Sequence, residues 1–171
     1  MKKISTLIAT SALVLGASAV QAQSLYGEVA YQTLDVGLNS DPAIIRGTIG
    51  SEINPNVAVE AMLGFGATDG KETISGIPVK LKIDNMWGVF VKPKMKLGDA
   101  FEVYGRLGYA GFKATASASA YGYTASESAD GSDFAYGVGL TYMVTPKLSI
   151  SADFMKYDDL DGVALGVGFK F

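Results

Sequence analysis

The 171-residue chain has no cysteine and no histidine. Without cysteine there is no disulfide, no thiolate nucleophile and no thiolate metal site. Without histidine the commonest general base and metal ligand is also missing, so neither catalysis of that type nor a cofactor is expected. Charged residues make up only 18% of the chain, and no basic run of the kind that grips nucleic acid is present. Past residue 20 there is no stretch of ~18 uninterrupted apolar residues, the length a membrane-spanning helix needs. Yet 49% of the residues are hydrophobic and 21 are glycine. A chain this apolar that lacks such a helix can cross a membrane in one way only, as a closed β-barrel, because backbone groups in hydrocarbon must find their hydrogen-bond partners within the protein.

The N-terminus points to export. Lys2 and Lys3 precede an apolar run from Leu7 to Val20, and Val20-Gln21-Ala22 places small residues where signal peptidase requires them. This pattern predicts a secretory signal peptide over residues 1–22, cleaved between Ala22 and Gln23. A membrane-anchoring helix would need a longer core. The remaining 23–171 is one domain-sized unit. Removal of Lys2 and Lys3 leaves 12 basic residues against 17 acidic ones.

From Ser24 onward, period-two alternation of apolar with small or polar residues predicts eight strands, near 24–34, 43–52, 57–65, 79–92, 101–115, 133–144, 148–157 and 162–171. The spacing predicts tight turns at Asn54-Pro55-Asn56 and Thr145-Pro146-Lys147, a longer turn over 93–100, and polar loops over 35–42 and 68–78. The Ser-, Ala- and Gly-rich segment 116–132 is expected to be an exposed mobile loop, and 158–161 a short acidic link. Asn85 alone breaks the apolar parity of its strand.

The charges decide which face points where. Glu28, Arg46, Glu52, Glu60, Lys80, Lys82, Asp84, Lys92, Glu102, Arg106, Asp153 and Lys170 all fall opposite the aliphatic and aromatic residues. An Arg or Lys at the bilayer midplane costs ~2–4 kcal/mol, so this mixed set must face inward. Eight strands enclose an interior just wide enough for side chains, and a lumen filled by ion pairs and water is expected, with Glu28, Arg46, Glu52, Glu60, Lys82, Asp84, Glu102, Arg106, Asp153 and Lys170 as the polar network. A narrow ion or solute pathway through the same residues is the competing reading. On the apolar face, Tyr31, Phe65, Tyr109, Phe134 and Phe154 are expected near one rim and Phe101, Tyr142, Phe169 and Phe171 near the other, as two aromatic girdles. Lys113 and Lys156 fall at strand ends, where they are placed to meet lipopolysaccharide phosphates.

Glycine spacings around Gly105–Gly111 and Gly137–Gly139 lie inside strands with no following helix, so they are not nucleotide loops. Asp158, Asp159 and Asp161 read as a solvated acidic link rather than a metal site. The chain ends on GVGFKF, with Val167, Phe169 and Phe171 alternating up to an aromatic last residue. With the cleavage site and the segment FAYGVGLTY (Phe134 to Tyr142), this ending resembles the small Gram-negative outer-membrane β-barrel proteins of the OmpA/OmpX and opacity-protein, or porin-family, type. The resemblance implies an all-β, eight-stranded antiparallel up-and-down transmembrane barrel in the bacterial outer membrane. It also implies recognition of the terminal strand, Val167, Phe169 and Phe171, by the barrel-assembly machinery. Its functional implication is envelope integrity, adhesion or host-surface contact through the loops, and sometimes weak pore activity; a non-enzymatic monomer with a structural or adhesion-like role is expected, with outer-membrane lipid and lipopolysaccharide at its wall. A soluble barrel of lipocalin kind would need the two faces reversed.

Overall fold

A computed structural model describes residues 24–74, 77–120, 123–157 and 160–171. The signal peptide and the Ala22–Gln23 cleavage pair lie outside the described residues, as do Asp158 and Asp159. The strands are β1 (Leu25–Asp35), β2 (Ala43–Asn54), β3 (Val57–Thr68), β4 (Gly70–Ile74), β5 (Ile77–Leu97), β6 (Phe101–Ala120), β7 (Tyr123–Met143), β8 (Leu148–Tyr157) and β9 (Leu160–Lys170). Each pairs antiparallel with its neighbours, β1 meets β9, and β3 meets β5, so the sheet closes on itself. β3 and β4 are one stave interrupted at Asp69, both running along β5. The result is a closed eight-stranded barrel. Closure leaves no unpaired edge in the hydrocarbon zone, the condition an irregular or open sheet cannot meet there.

Alternation along each strand sorts the side chains. β1 reads exposed and buried by turns from Leu25 to Asp35, and β9 does the same from Gly162 to Phe169. The outward positions are the apolar ones: Val29, Leu63, Val138 and Leu165 are each 59–66% exposed. An apolar belt that surrounds the whole molecule is far larger than the few hundred Å² a soluble monomer tolerates. Hydrocarbon is the solvent that suits it. Inside, glycine lets strands cross closely. A Cβ on Gly108 would lie 1.9 Å from the Val89 carbonyl oxygen, so any side chain there must push β5 and β6 apart.

Three expectations from the sequence are corrected. First, Pro93 does not end its strand: β5 continues to Leu97, and the turn shrinks to Gly98–Ala100, with Gly98 at φ 75°. Pro93 tolerates the position because its ring faces outward and Lys94 supplies the next backbone bond, to the Asn56 carbonyl. Second, the parity break at Asn85 is a β-bulge. The β5–β6 register skips between Ile83 and Asn85, so Val79, Leu81 and Ile83 face inward above it while Trp87, Val89 and Val91 face outward below it. Third, 116–132 is not a loose loop. β6 and β7 continue as a paired hairpin from Ala110↔Asp133 to Ala120↔Tyr123. With β4 and the first part of β5 they rise past Tyr157, where β8 stops, as a one-sided sheet overhanging the mouth.

Candidate functional site

The short turns, at Asn54–Asn56, Gly98–Ala100 and Val144–Lys147, share one end of the barrel with both chain ends of the described region. In outer-membrane barrels that end is periplasmic. The interior is stacked in tiers above it.

The lowest tier is a small ionic chain. Lys94 Nζ contacts Glu52 and lies 3.3 Å from Glu102, and Lys170 Nζ lies 2.8 Å from Glu52. The middle tier is denser. Arg106 donates from Nε to Glu60 at 2.6 Å and from Nη1 to Asp153 at 2.7 Å, with Nη2 3.3 Å from Glu28. Arg46 reaches Glu28 at 3.1 Å, Asp153 at 3.0 Å and Gln32 at 3.3 Å. Lys92 Nζ sits 3.1 Å from Glu60 and 4.1 Å above the Tyr104 ring. The hydroxyls of Tyr26, Tyr104 and Ser151 donate to Glu60, Asp153 and Glu28, at 2.6, 3.2 and 2.8 Å. Arg46 and Arg106 are 1% and 2% exposed. Each guanidinium fork is held by two or more carboxylates, the pairing such burial demands, and Arg46 Nε alone of their nitrogens finds no acceptor among the described residues.

Above the ions, Gln32 and Tyr157 exchange hydrogen bonds. The top tier is apolar: Leu34, Ile44, Met62, Ile83, Met86, Phe90 and Met155 form one buried cluster. The interior is therefore not polar throughout. An ion would meet a greasy stopper at one end and a salt-bridge lattice below it. The recess at the foot of the lattice, between Tyr26, Glu28, Lys92, Lys94 and Thr141, encloses about 30 Å³. That is room for a single water molecule.

Of the residues expected in the lumen, Glu28, Arg46, Glu52, Glu60, Glu102, Arg106, Asp153 and Lys170 lie inside: Glu28, Arg46, Glu60, Arg106 and Asp153 form one cluster, Lys170 contacts Glu52, and Glu102 is reached through Lys94. Lys82 and Asp84 do not lie inside. Their side chains are 60% and 27% exposed and pair with each other at 3.6 Å on the outer face; Lys80 is exposed with them. The bulge at Asp84 turns that part of β5 over, which the alternation below it could not reveal. Thr115 donates to Asp84 at 2.7 Å, and this bond holds the exposed carboxyl below the usual aspartate range. Lys94 is the residue the sequence reading missed. Its exchange for the outward Lys80, Lys82 and Asp84 leaves five acids (Glu28, Glu52, Glu60, Glu102, Asp153) facing five bases (Arg46, Lys92, Lys94, Arg106, Lys170).

On the outer wall, Trp87 lies over Gly111, with ring contacts to Tyr109 at 6.2 Å between centroids. At the opposite rim Phe101 stacks with Tyr142 at 5.1 Å and Phe169 with Phe171 at 5.7 Å. Val167, Phe169 and Phe171 all project outward from the closing strand.

The model of the outer membrane protein beta-barrel domain matches residues 5–171. The chain belongs to this family. It is an integral protein of the bacterial outer membrane. Among solved structures it is similar to Ail, the attachment invasion locus protein of Yersinia pestis, in complex with the heparin analogue sucrose octasulfate. The two are 23% identical, 87% of this chain and 97% of that one are covered, and the TM-score is 0.56. It is similar also to the N-terminal β-barrel domain of Pseudomonas aeruginosa OprF, at 14% identity over 88% and 100% of the two chains and TM-score 0.54. Neisserial surface protein A is a third, at 16% identity over 86% and 95% and TM-score 0.52. At such identities these likenesses speak to fold alone. No curated protein sequence matches the chain.

Proposed function

We propose that this outer-membrane barrel is non-enzymatic and works as a structural and surface-interaction protein, with contact carried by the overhanging sheet and the loops around it. The observation that supports this reading most is the sealed interior. Buried guanidinium–carboxylate pairs and an apolar tier stand in series, while the paired β6–β7 hairpin rises beyond the end of β8. A narrow channel is the weaker reading, because any ion would have to displace both tiers. In the same account, residues 1–22 are removed on export between Ala22 and Gln23, and Val167, Phe169 and Phe171 form the strand that the assembly machinery reads. A surface ligand, if bound, meets the loop end, and the barrel acts as a monomer.

Planar-bilayer recording tests the choice. The purified barrel is expected to give no discrete openings, and Arg46→Ala none either, because Leu34, Ile44 and Met86 still close the mouth. Stepwise conductance in the native protein that disappears in Arg46→Ala or Glu60→Gln would favour the channel.

A further inference from the structure

A small cavity opens at the outer mouth, where the β6–β7 hairpin leaves the barrel. It encloses about 210 Å³, and its walls include Met86, Ala110, Phe112, Gly131, Asp133 and Tyr157. The strand register explains the space. Met86, Phe112 and Gly131 lie opposite one another across β5, β6 and β7, and Ala110 lies opposite Asp133 one row below. Residues opposite one another in an antiparallel pair share a face, so all five look into the mouth. Gly131 is the missing volume in that row. A Cβ built there would lie 3.5 Å from the Phe112 ring, so a larger side chain at this position would lie across the ring and fill the cavity. On the far side the wall is Tyr157, where the β7–β8 pairing ends at Ala135↔Tyr157.

The chemistry of the walls is lopsided. Met86, Ala110 and Tyr157 belong to the buried apolar cluster, and Phe112 packs against it. One charge stands among them. Asp133 is exposed, its Oδ1 accepts the Phe134 amide at 2.6 Å, and it has no ion-pair partner among the described residues. The next charge up the same face of β7 is Glu127, opposite Ala116 and again an acid. The mouth-facing residues of the neighbouring strands, Leu81, Ile83, Ala114 and Ala116, supply no cation, and Lys80, Lys82 and Lys113 take the opposite face of the sheet. A lone sign of charge around a concave apolar surface draws counter-ions of the other sign.

We propose that this cavity binds a small organic cation, an ammonium group carried on an aromatic or aliphatic body. The body lies against Phe112 and Met86 in the gap left by Gly131, and the ammonium meets the Asp133 carboxylate. Size sets the limit on the ligand: sites for drug-sized molecules hold ~300–1,000 Å³, so 210 Å³ admits one group of side-chain size. An aromatic ring beside a carboxylate favours a cation over a neutral molecule of the same shape. An anionic ligand would face Asp133 and Glu127 with no base to offset them. The same ammonium is offered by a free amine or by a lysine side chain of another protein. The inference gives a ligand class to the surface-contact reading and rests on it.

The full mature protein, isotope-labelled and refolded in lipid nanodiscs, is titrated with phenethylamine and with its neutral analogue phenethyl alcohol, and the amide shifts of Gly131 to Asp133 are followed. Phenethylamine should saturate these shifts, and phenethyl alcohol should bind roughly tenfold or more weakly. Asp133→Asn should weaken the amine by a similar factor and leave the alcohol unchanged. Gly131→Val, which fills the cavity, should abolish both. Asp130→Asn, on the outward face of the same strand, should bind as the native barrel does. Equal amine binding by Asp133→Asn or by Gly131→Val, or equal binding of amine and alcohol by the native barrel, overturns the proposal. A lysine tripeptide with blocked ends separates the two sources: tighter binding than phenethylamine assigns the ammonium to a protein side chain and weaker binding to a free amine, and both support the cavity. Heat-dependent gel mobility reports whether each variant is folded, and if Gly131→Val fails to fold, Asp133→Asn still decides. A folded barrel that ignores the amine refutes the cavity alone, because the conductance record tests the sealed, surface-contact reading separately.

Discussion

Arg106→Ala is expected to destabilise the folded barrel by about 3–5 kcal/mol, the usual consequence of removing one partner from a buried ionic cluster. The size follows from what is left behind. Arg106 binds Glu60, Asp153 and Glu28 at once, and without it the cations left beside those carboxylates among the described residues are Arg46 and Lys92. They cannot move to water, because the middle tier is closed above by Met62, Met86 and Met155. Urea titration of folding into vesicles, followed by the single tryptophan, measures the loss. Arg106→Lys should recover part of it by keeping the charge while losing the bidentate fork. A double change to apolar residues of similar volume at Arg106 and Glu60 should recover more than the sum of the single changes allows. A loss below about 1 kcal/mol for Arg106→Ala would mean that the cluster is hydrated and the seal is not there.

The second large effect is on the opposite face. Val138 is 66% exposed and lies between Gly105 and Phe154 on the outer wall. At so exposed a position in a soluble protein, Val138→Arg would fall within about ±0.5 kcal/mol of neutral. In hydrocarbon it should cost ~2–4 kcal/mol. Phe134→Arg, two outward steps nearer the outer rim, should cost only ~0–1 kcal/mol. The same vesicle titration reads both variants. A depth-dependent pair of values supports lipid at this wall, and two near-zero values would place it in water.

How much of this was legible in the sequence depends on what each residue's signal is made of. Strand number, barrel closure and the inward set of Glu28, Arg46, Glu60, Arg106 and Asp153 follow from period-two alternation, because a one-residue slip would send every charge to the other face. The bulge at Asp84 was visible only as a parity break at Asn85, since one extra residue reverses faces locally without changing composition. Lys94 was hidden by Pro93, which ordinarily ends a strand. The alternation of Lys92, Lys94 and Lys96 with Val91, Met95 and Leu97 nevertheless runs straight through it. The β6–β7 hairpin was missed for a different reason. Its strands outside the membrane are built of Ser, Ala and Gly, whose low apolar contrast gives alternation little to report. The apolar upper tier was also missed: Met62, Met86 and Met155 sit among inward residues of mixed character, and tiering along the barrel axis is a property of the closed structure rather than of any one strand.

The central claim is that acyl chains surround the outer wall while the ionised groups are enclosed. Trp87 is the only tryptophan, 41% exposed on that wall, so its fluorescence quenching is the most direct measurement. With the barrel in vesicles of brominated lipids, the account predicts blue-shifted emission, strongest quenching by bromines on carbons near the headgroup, weaker quenching by deeper ones, and little by aqueous iodide. Emission at the wavelength of tryptophan in water, with iodide quenching it freely and brominated chains leaving it untouched, would contradict the account.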